Sequence, residues 1–326
     1  MVAAAARKLD QWLIGEDPTR IEHLNSKLYK LFSSIGSRGF ISALISGVDI
    51  ALWDIRGKQL GLPIYELLGG RFRDDLLLYS NGWSHGCDTP EDYAAAAKKT
   101  VDVGHTAIKL DPYKLDDSPR QHGGGLSMSA SARGTAIIQA IRESVGPDVE
   151  ILIDTHGKFD VPTAVRLAKA VEPSVIGWFE EPVPPENVDA LRQVKDQISI
   201  PLCVGERLIG RYEFRPILEQ GLCNYLMPDV VRTGGISELK KIAIMAEPYF
   251  VPISPHDATG PITLIAGAQT VMSVPNFYRL EIAYSELPQY NKALDPPLDV
   301  RNGIFYVSDR PGLGHDLNPD YLAEAL

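Results

Sequence analysis

Between Ile41 and Ile55 the apolar residues recur at helical spacing, with Leu44, Ile45, Val48 and Leu52 on one side, and predict a helix with a single buried stripe. Gly57 and Gly61 read as its end. Pro63 suits the first turn of a short helix that reaches Leu68 before Gly69–Gly70. The whole stretch 9–75 is expected to be helical. From residue 76 the rhythm changes, and short apolar runs alternate with helical patterns. The runs are Leu76–Ser80, Ala107–Leu110, Glu150–Asp154, Gly177–Glu180, Pro201–Gly205, Tyr225–Pro228, Val251–Ser254 and Phe277–Glu281. Most of the intervening segments carry helix signals; Thr89-Pro90-Glu91, for example, is a cap with proline at the first position. Eight strand–helix units predict an α/β protein built on a (β/α)8-type TIM barrel rather than an open sheet. Residues 284–326 are rich in Pro and Gly and close with a short helix at Tyr321–Leu326. Gly123–Gly125 reads as a flexible loop. Gly234–Gly235 reads as the turn after the sixth strand, with phosphate binding through free N–H groups as its alternative.

Composition narrows the class. At 326 residues, 44% hydrophobic and 23% charged, the chain can bury a sizeable core. A net charge of -10 argues against a nucleic-acid or anionic-membrane partner, since no basic stripe exists to neutralise phosphates. An anionic substrate would need a bound cation to invert the local field. Cys87, Cys203 and Cys223 form neither a C-x-x-C pair nor an even set, so reduced thiols and a cytoplasmic protein are expected. The start carries no basic region followed by a long apolar core, and no run of eighteen apolar residues occurs.

Catalytic residues of such barrels project from the C-terminal ends of the strands. Here those ends read Asp154-Thr155-His156, Glu180-Glu181-Pro182, Gly205-Glu206-Arg207, Pro228-Asp229, Ser254-Pro255-His256 and Glu281. Acids on three consecutive strands would converge above the barrel, and unpaired they would repel one another. A hard divalent cation resolves this, and all-oxygen ligation suits Mg²⁺ held by Asp154, Glu180 and Glu206. The plainer alternative is solvated loop acids paired with Arg207 and Lys109.

The spaced set resembles the enolase superfamily, mandelate-racemase subgroup, and looks closest to its galactonate-type sugar-acid dehydratases. Twenty-six residues separate Asp154 from Glu180 and Glu180 from Glu206; His256 follows after fifty and Glu281 after twenty-five more. Members of the family normally begin well upstream, with the first strands of a capping domain and a closing loop. By that resemblance residues 1–75 are a helical remnant of an incomplete cap, 76–283 the catalytic barrel, and 284–326 a segment packing back on the cap. Racemases of the subgroup carry Lys-x-Lys after the second strand. This chain has Lys109-Leu110-Asp111 and lacks the second lysine.

Chemistry assigns roles within that set. An α-proton beside a carboxylate is very weakly acidic, so charge on the substrate must be stabilised as it forms. His256 is the candidate base, because imidazole takes and returns protons near neutrality. Asp229 resembles the partner that orients it. His156 lies two residues beyond Asp154, and strand alternation would point both side chains into the barrel. It is the candidate acid for the departing 3-hydroxyl, with metal ligation as its competing role. By resemblance Glu281 hydrogen-bonds the substrate carboxylate or enolate, which requires it to be protonated or bridged. Lys109 steadies the substrate carboxylate or pairs with Asp111 at the barrel mouth, and both are assigned to substrate binding. Trp83 and His85 are candidate pocket residues.

The expected activity is sugar-acid dehydration to a 2-keto-3-deoxy acid by a homo-oligomer. A cycloisomerase or epimerase on the same site and a non-catalytic homologue are the alternatives. A metal-dependent amidohydrolase is excluded, because Ser80-Asn81-Gly82 stands where that class needs His-x-His.

Overall fold

Thr89 opens the first barrel helix, Pro90–Asp102, with a reciprocal capping box to Asp92, which satisfies donors that the helix start would otherwise leave bare. The computed structural model describes residues 5–36, 38–113 and 124–325, so Gly123 of the expected Gly123–Gly125 loop and the terminal Leu326 lie outside the described residues. The barrel strands are β1 (Leu76–Asn81), β2 (Ala107–Leu110), β3 (Glu150–Asp154), β4 (Trp178–Glu180), β5 (Leu202–Val204), β6 (Tyr225–Leu226) and β7 (Leu280–Ala283). Each pairs in parallel with the next from β1 to β6, and β7 pairs with β1.

The seventh expected strand, Val251–Ser254, is not a strand. It contributes single bridges, in which Ile253 pairs with Leu226 on one side and Phe277 on the other. Those bridges still close the ring between β6 and β7. The reason is local: Pro252 and Pro255 flank the bridge and lack the N–H groups that would extend a ladder. β4, β5 and β6 are shorter than their apolar runs, and β7 begins at Leu280 and runs past Glu281 to Ala283.

Ahead of the barrel lie α1 (Ile21–Leu31) and α2 (Phe40–Leu60). The helix α2 runs through Gly57 and stops at Gly61, whose φ of 70° is left-handed. Gly57 therefore serves packing, not termination: a Cβ there would meet the Cα of Gly312 at 2.6 Å. Pro63 precedes the short helix Ile64–Leu67 as its cap residue. Residues after the barrel return to this region. Ile64 N–H donates to Gly312, Gly312 N–H to Leu62, and Leu313 N–H to the Asp54 carboxylate at 2.8 Å. A hairpin, Asp299–Arg301 with Ile304–Tyr306, adds antiparallel to the start of β1. Among the described residues no helix is long and apolar enough to cross a membrane. Cys87, Cys203 and Cys223 are all buried.

Asp49 departs from the single apolar stripe expected of α2. It is buried, and accepts hydrogen bonds from Asn25 of α1 at 2.8 Å, from the Ser237 hydroxyl at 2.6 Å and from the Ser237 backbone N–H at 3.0 Å. Ser237 stands in the first turn of the barrel helix Ile236–Ala246. A carboxylate of α2 thus occupies that helix start, and Gly234 N–H donates to Ser46. Gly234–Gly235 is accordingly a turn whose nearby donors are already engaged, and the phosphate alternative fails.

Candidate active site

Four acids, Asp154, Glu180, Glu206 and Glu281, act on one buried lysine. Asp154 and Glu180 are register partners across β3 and β4, and Glu180 pairs with Cys203 of β5. Beyond β3 the chain enters a left-handed turn at His156, with φ of 54°, and beyond β4 another at Glu181, with φ of 38°. Non-glycine residues adopt this region rarely, and such outliers gather at functional sites. The turns are held in place. Thr155 donates its hydroxyl to the carbonyls of Glu180 and Glu181, each at 2.8 Å, and Gly157 N–H donates to Glu181 at 2.7 Å. The Glu181 carboxylate accepts from Gly205 N–H and Arg207 N–H at 3.2 Å and pairs with the Arg207 guanidinium. Sequence reasoning left Glu181 without a role; it clamps the end of β5 that presents Glu206. The doubled Glu before a proline was the available signal.

Lys109 is 1% exposed, and its ammonium lies 3.7 Å from Asp154, 3.0 Å from Glu180 and 2.9 Å from Glu281. Burial opposes its charge, but Glu180, Glu281, Asp154 and Glu206 together raise its pKa well above the usual lysine value. Lys109 does not pair with Asp111: β2 ends at Leu110, so Asp111 lies beyond the strand and faces His156 and Lys158 instead. Trp83 braces this strand end by donating its indole N–H to the Lys109 carbonyl at 2.8 Å.

His256 is the buried imidazole. Its Nδ1 lies 2.7 Å from Asp229 Oδ2, and its Nε2 lies 2.7 Å from Glu206 Oε2. Asp229 in turn caps the short helix Val230–Thr233, accepting from Val231 N–H and Arg232 N–H through Oδ1. Burial disfavours the imidazolium, yet the Glu281 charge and the bonds to Asp229 and Glu206 raise the pKa of His256 well above the usual value. Burial likewise disfavours charge on Glu206, but the His256 bond and the nearby cations hold it below the carboxylate range.

Glu281 lies in β7 beside Tyr79, its register partner, rather than at a strand end. Four donors converge on it: Tyr79 hydroxyl at 2.9 Å, Asn81 amide at 2.8 Å, Lys109 ammonium at 2.9 Å and Asp257 N–H at 3.2 Å. Burial works against its charge, but Lys109 and His256 prevail and keep it an anion. In this arrangement Glu281 accepts from all four groups, whereas the expected contact with substrate requires it to be protonated or bridged.

His156 sits on the opposite wall. Its Nδ1 lies 3.0 Å from Asp111 Oδ2 and its Nε2 3.2 Å from Asp154 Oδ2, and its side chain is 47% exposed against 4% for His256. The Asp111 bond, followed by the charges of Asp154 and Glu206, raises its pKa despite burial. The left-handed turn, not continued strand alternation, aims it inward, because β3 ends at Asp154. A cavity of about 300 Å³ opens here, lined by Asn81, Ser84, His85, Asp111, Asp154 and His156.

Among the described residues no three His, Cys, Asp or Glu side chains stand as a ready metal cluster. Each acid is turned to a cation: Asp154 and Glu180 to Lys109, Glu206 to Arg207 and His256. The donor chemistry nevertheless fits a hard divalent ion. Asp154, Glu180 and Glu206 are all-oxygen donors, buried, and presented by three adjacent strands. Burial and the neighbouring Asp154 charge push Glu180 well above the usual carboxylate range, so a divalent cation would relieve an existing electrostatic cost.

A model described as enolase C-terminal domain-like matches residues 92–321, and one for the N-terminal domain of mandelate racemase/muconate lactonizing enzyme matches residues 1–69. A D-galactonate dehydratase of Pectobacterium atrosepticum is 35% identical over 335 residues, covering 99% of this chain and 84% of that protein. A D-galactarolactone cycloisomerase of Agrobacterium fabrum is 34% identical, with 99% and 84% covered. A D-gluconate dehydratase of Thermoproteus tenax is 35% identical over 97% of this chain, which spans 63% of that relative's length. The crystal structure of an enolase-superfamily member from Salmonella Typhimurium superposes with a TM-score of 0.91 at 34% identity, covering 99% of this chain and 86% of that one.

Proposed function

The chain belongs to the mandelate racemase/muconate lactonizing enzyme group of the enolase superfamily, and from that premise we propose that it is a Mg²⁺-dependent sugar-acid dehydratase. The reaction removes the proton α to an aldonate carboxylate and expels the 3-hydroxyl, giving a 2-keto-3-deoxy acid. One observation carries this reading: two imidazoles, each backed by an aspartate, face the same group of strand-end acids from opposite walls.

Asp154, Glu180 and Glu206 would hold the ion, and its chemistry there is to neutralise charge that develops on the substrate carboxylate. Lys109 supplies a fixed positive charge beside the same oxygens, and it needs no reorganisation because Glu180 and Glu281 already hold it in place. His256 accepts the α-proton at Nε2 once Glu206 is turned away from that nitrogen, while Asp229 keeps the ring oriented through Nδ1. His156 delivers a proton from Nε2 to the departing hydroxyl, which otherwise leaves as hydroxide. Glu281 acts through Lys109 and His256, fixing the first and raising the basicity of the second.

The match to a cycloisomerase at similar identity favours one second reading, in which the same base serves a lactone. Incubation with a panel of aldonic acids and aldarolactones, followed by NMR, separates them. A 2-keto-3-deoxy product supports dehydration. Lactone opening without it, or no reaction with any acid, would remove the dehydratase reading.

A further inference from the structure

Both oxygens of Asp111 are engaged by neighbouring protein groups. Its Oδ1 accepts from Tyr113 N–H at 2.9 Å, and its Oδ2 is shared between His156 Nδ1 at 3.0 Å and the Lys158 ammonium. Lys158 also donates to the Tyr113 carbonyl at 2.9 Å and rests 5.6 Å over the Phe159 ring, so its position is fixed from two further sides. The opposite wall repeats this layout. Asp229 anchors Oδ1 on the local N–H groups of Val231 and Arg232, and offers Oδ2 to His256 Nδ1 at 2.7 Å and Arg232 Nε at 3.5 Å. In both cases a carboxylate is pinned by its own loop, leaned on by a basic side chain, and left to hold Nδ1 so that Nε2 points at the acids.

The two imidazoles differ in what else restrains them. His256 is 4% exposed and enclosed by neighbours, whereas His156 is 47% exposed and follows a left-handed turn. A half-exposed ring on a strained turn has few packing contacts to choose its rotamer, so its orientation depends on Asp111.

Resting on the dehydratase reading, we propose that Asp111 and Lys158 are positioning residues for His156: Lys158 fixes Asp111, and Asp111 fixes the imidazole that protonates the leaving hydroxyl. They replace the substrate-binding role expected of Asp111. Neither touches the α-proton or its base, so they govern the second half of the reaction and not the first.

The test uses the full chain with Mg²⁺ in D₂O and an aldonic acid that it turns over. Product formation and α-hydrogen exchange in the remaining substrate are read together. Asp111→Asn keeps the shape but can present its amide N–H to His156 Nδ1 and so no longer fixes the tautomer and orientation of the ring; it is expected to slow dehydration about 100-fold while exchange stays within about threefold of wild type. Lys158→Met should produce the same partition more weakly, and Lys158→Arg should restore most of the loss. Dehydration and exchange falling together in both Asp111→Asn and Lys158→Met would overturn the proposal in favour of a structural role, as would no effect on either. A wild-type chain that dehydrates no aldonic acid would instead overturn the dehydratase reading, and this assignment with it.

Discussion

A histidine held by an aspartate is a base or an acid according to what faces its other nitrogen, and the two here face different partners. His256→Asn is expected to abolish both α-hydrogen exchange and dehydration, lowering kcat by about 10²–10⁴-fold. His156→Asn should keep exchange and lose only the departure of hydroxyl, and NMR in D₂O reads both. Equal loss in the two variants would sink the division of roles. Asp49 gives a prediction of a different kind. Burial, partly offset by its Ser237 and Asn25 bonds, raises its pKa from 3.8 to about 6. The folded state therefore binds its proton more tightly than the unfolded chain does. The stability that this provides is complete below about pH 4 and is lost as the pH climbs through about 6, a change of about 3 kcal/mol. Urea midpoints measured between pH 4 and 7 should show this slope in the wild type and a shallower one in Asp49→Asn. Parallel slopes would contradict it. The sequence offered no warning, because an aspartate inside a helical pattern reads as a solvated position until a neighbouring element is known to cover it.

At the scale of elements, the strands carry the site only because the chain turns where they end. Gly205 adopts a φ of 144°, and a Cβ there would meet the backbone of Met227 at 2.9 Å. Gly205→Ala is expected to destabilise the protein by about 1–3 kcal/mol and to weaken Mg²⁺ binding through displaced Glu206, read by thermal melts and metal titration. Unchanged metal affinity would show that the turn does not position Glu206. Most strands were legible because their apolar runs end abruptly in acids: Ala107–Leu110 and Glu150–Asp154 form over the residues expected. Val251–Ser254 was not, since the same apolar pattern with proline on either side sustains only isolated bridges. Gly57 misled in the other direction. Its lack of a side chain serves the close approach of Gly312, a contact between segments far apart in sequence that no local pattern can reveal. That Asp154, Glu180, Glu206, His156 and His256 stand at or just beyond the ends of the apolar runs was legible, because barrel topology brings successive strand ends to one face. The partners of Asp111, Lys109 and Glu281 were not, since these depend on which way each side chain leaves its strand.

For the whole molecule, a chain of net charge -10 that handles an anion must concentrate positive charge locally. Lys109, Arg207 and the two imidazoles begin that task, and the three strand-end acids would complete it by holding a divalent ion. The cap helices join the barrel through Asp49 and Ser237, and the C-terminal segment joins them through Gly312, so the site rests on a single packed body. The most direct measurement is aldonate turnover by the purified chain with Mg²⁺, with excess chelator, and in the Glu206→Gln variant. The expected result is a 2-keto-3-deoxy acid that forms with Mg²⁺, disappears with chelator and falls by at least about 100-fold in Glu206→Gln. Undiminished turnover in chelator would contradict the account, because the acids would then be serving something other than an ion.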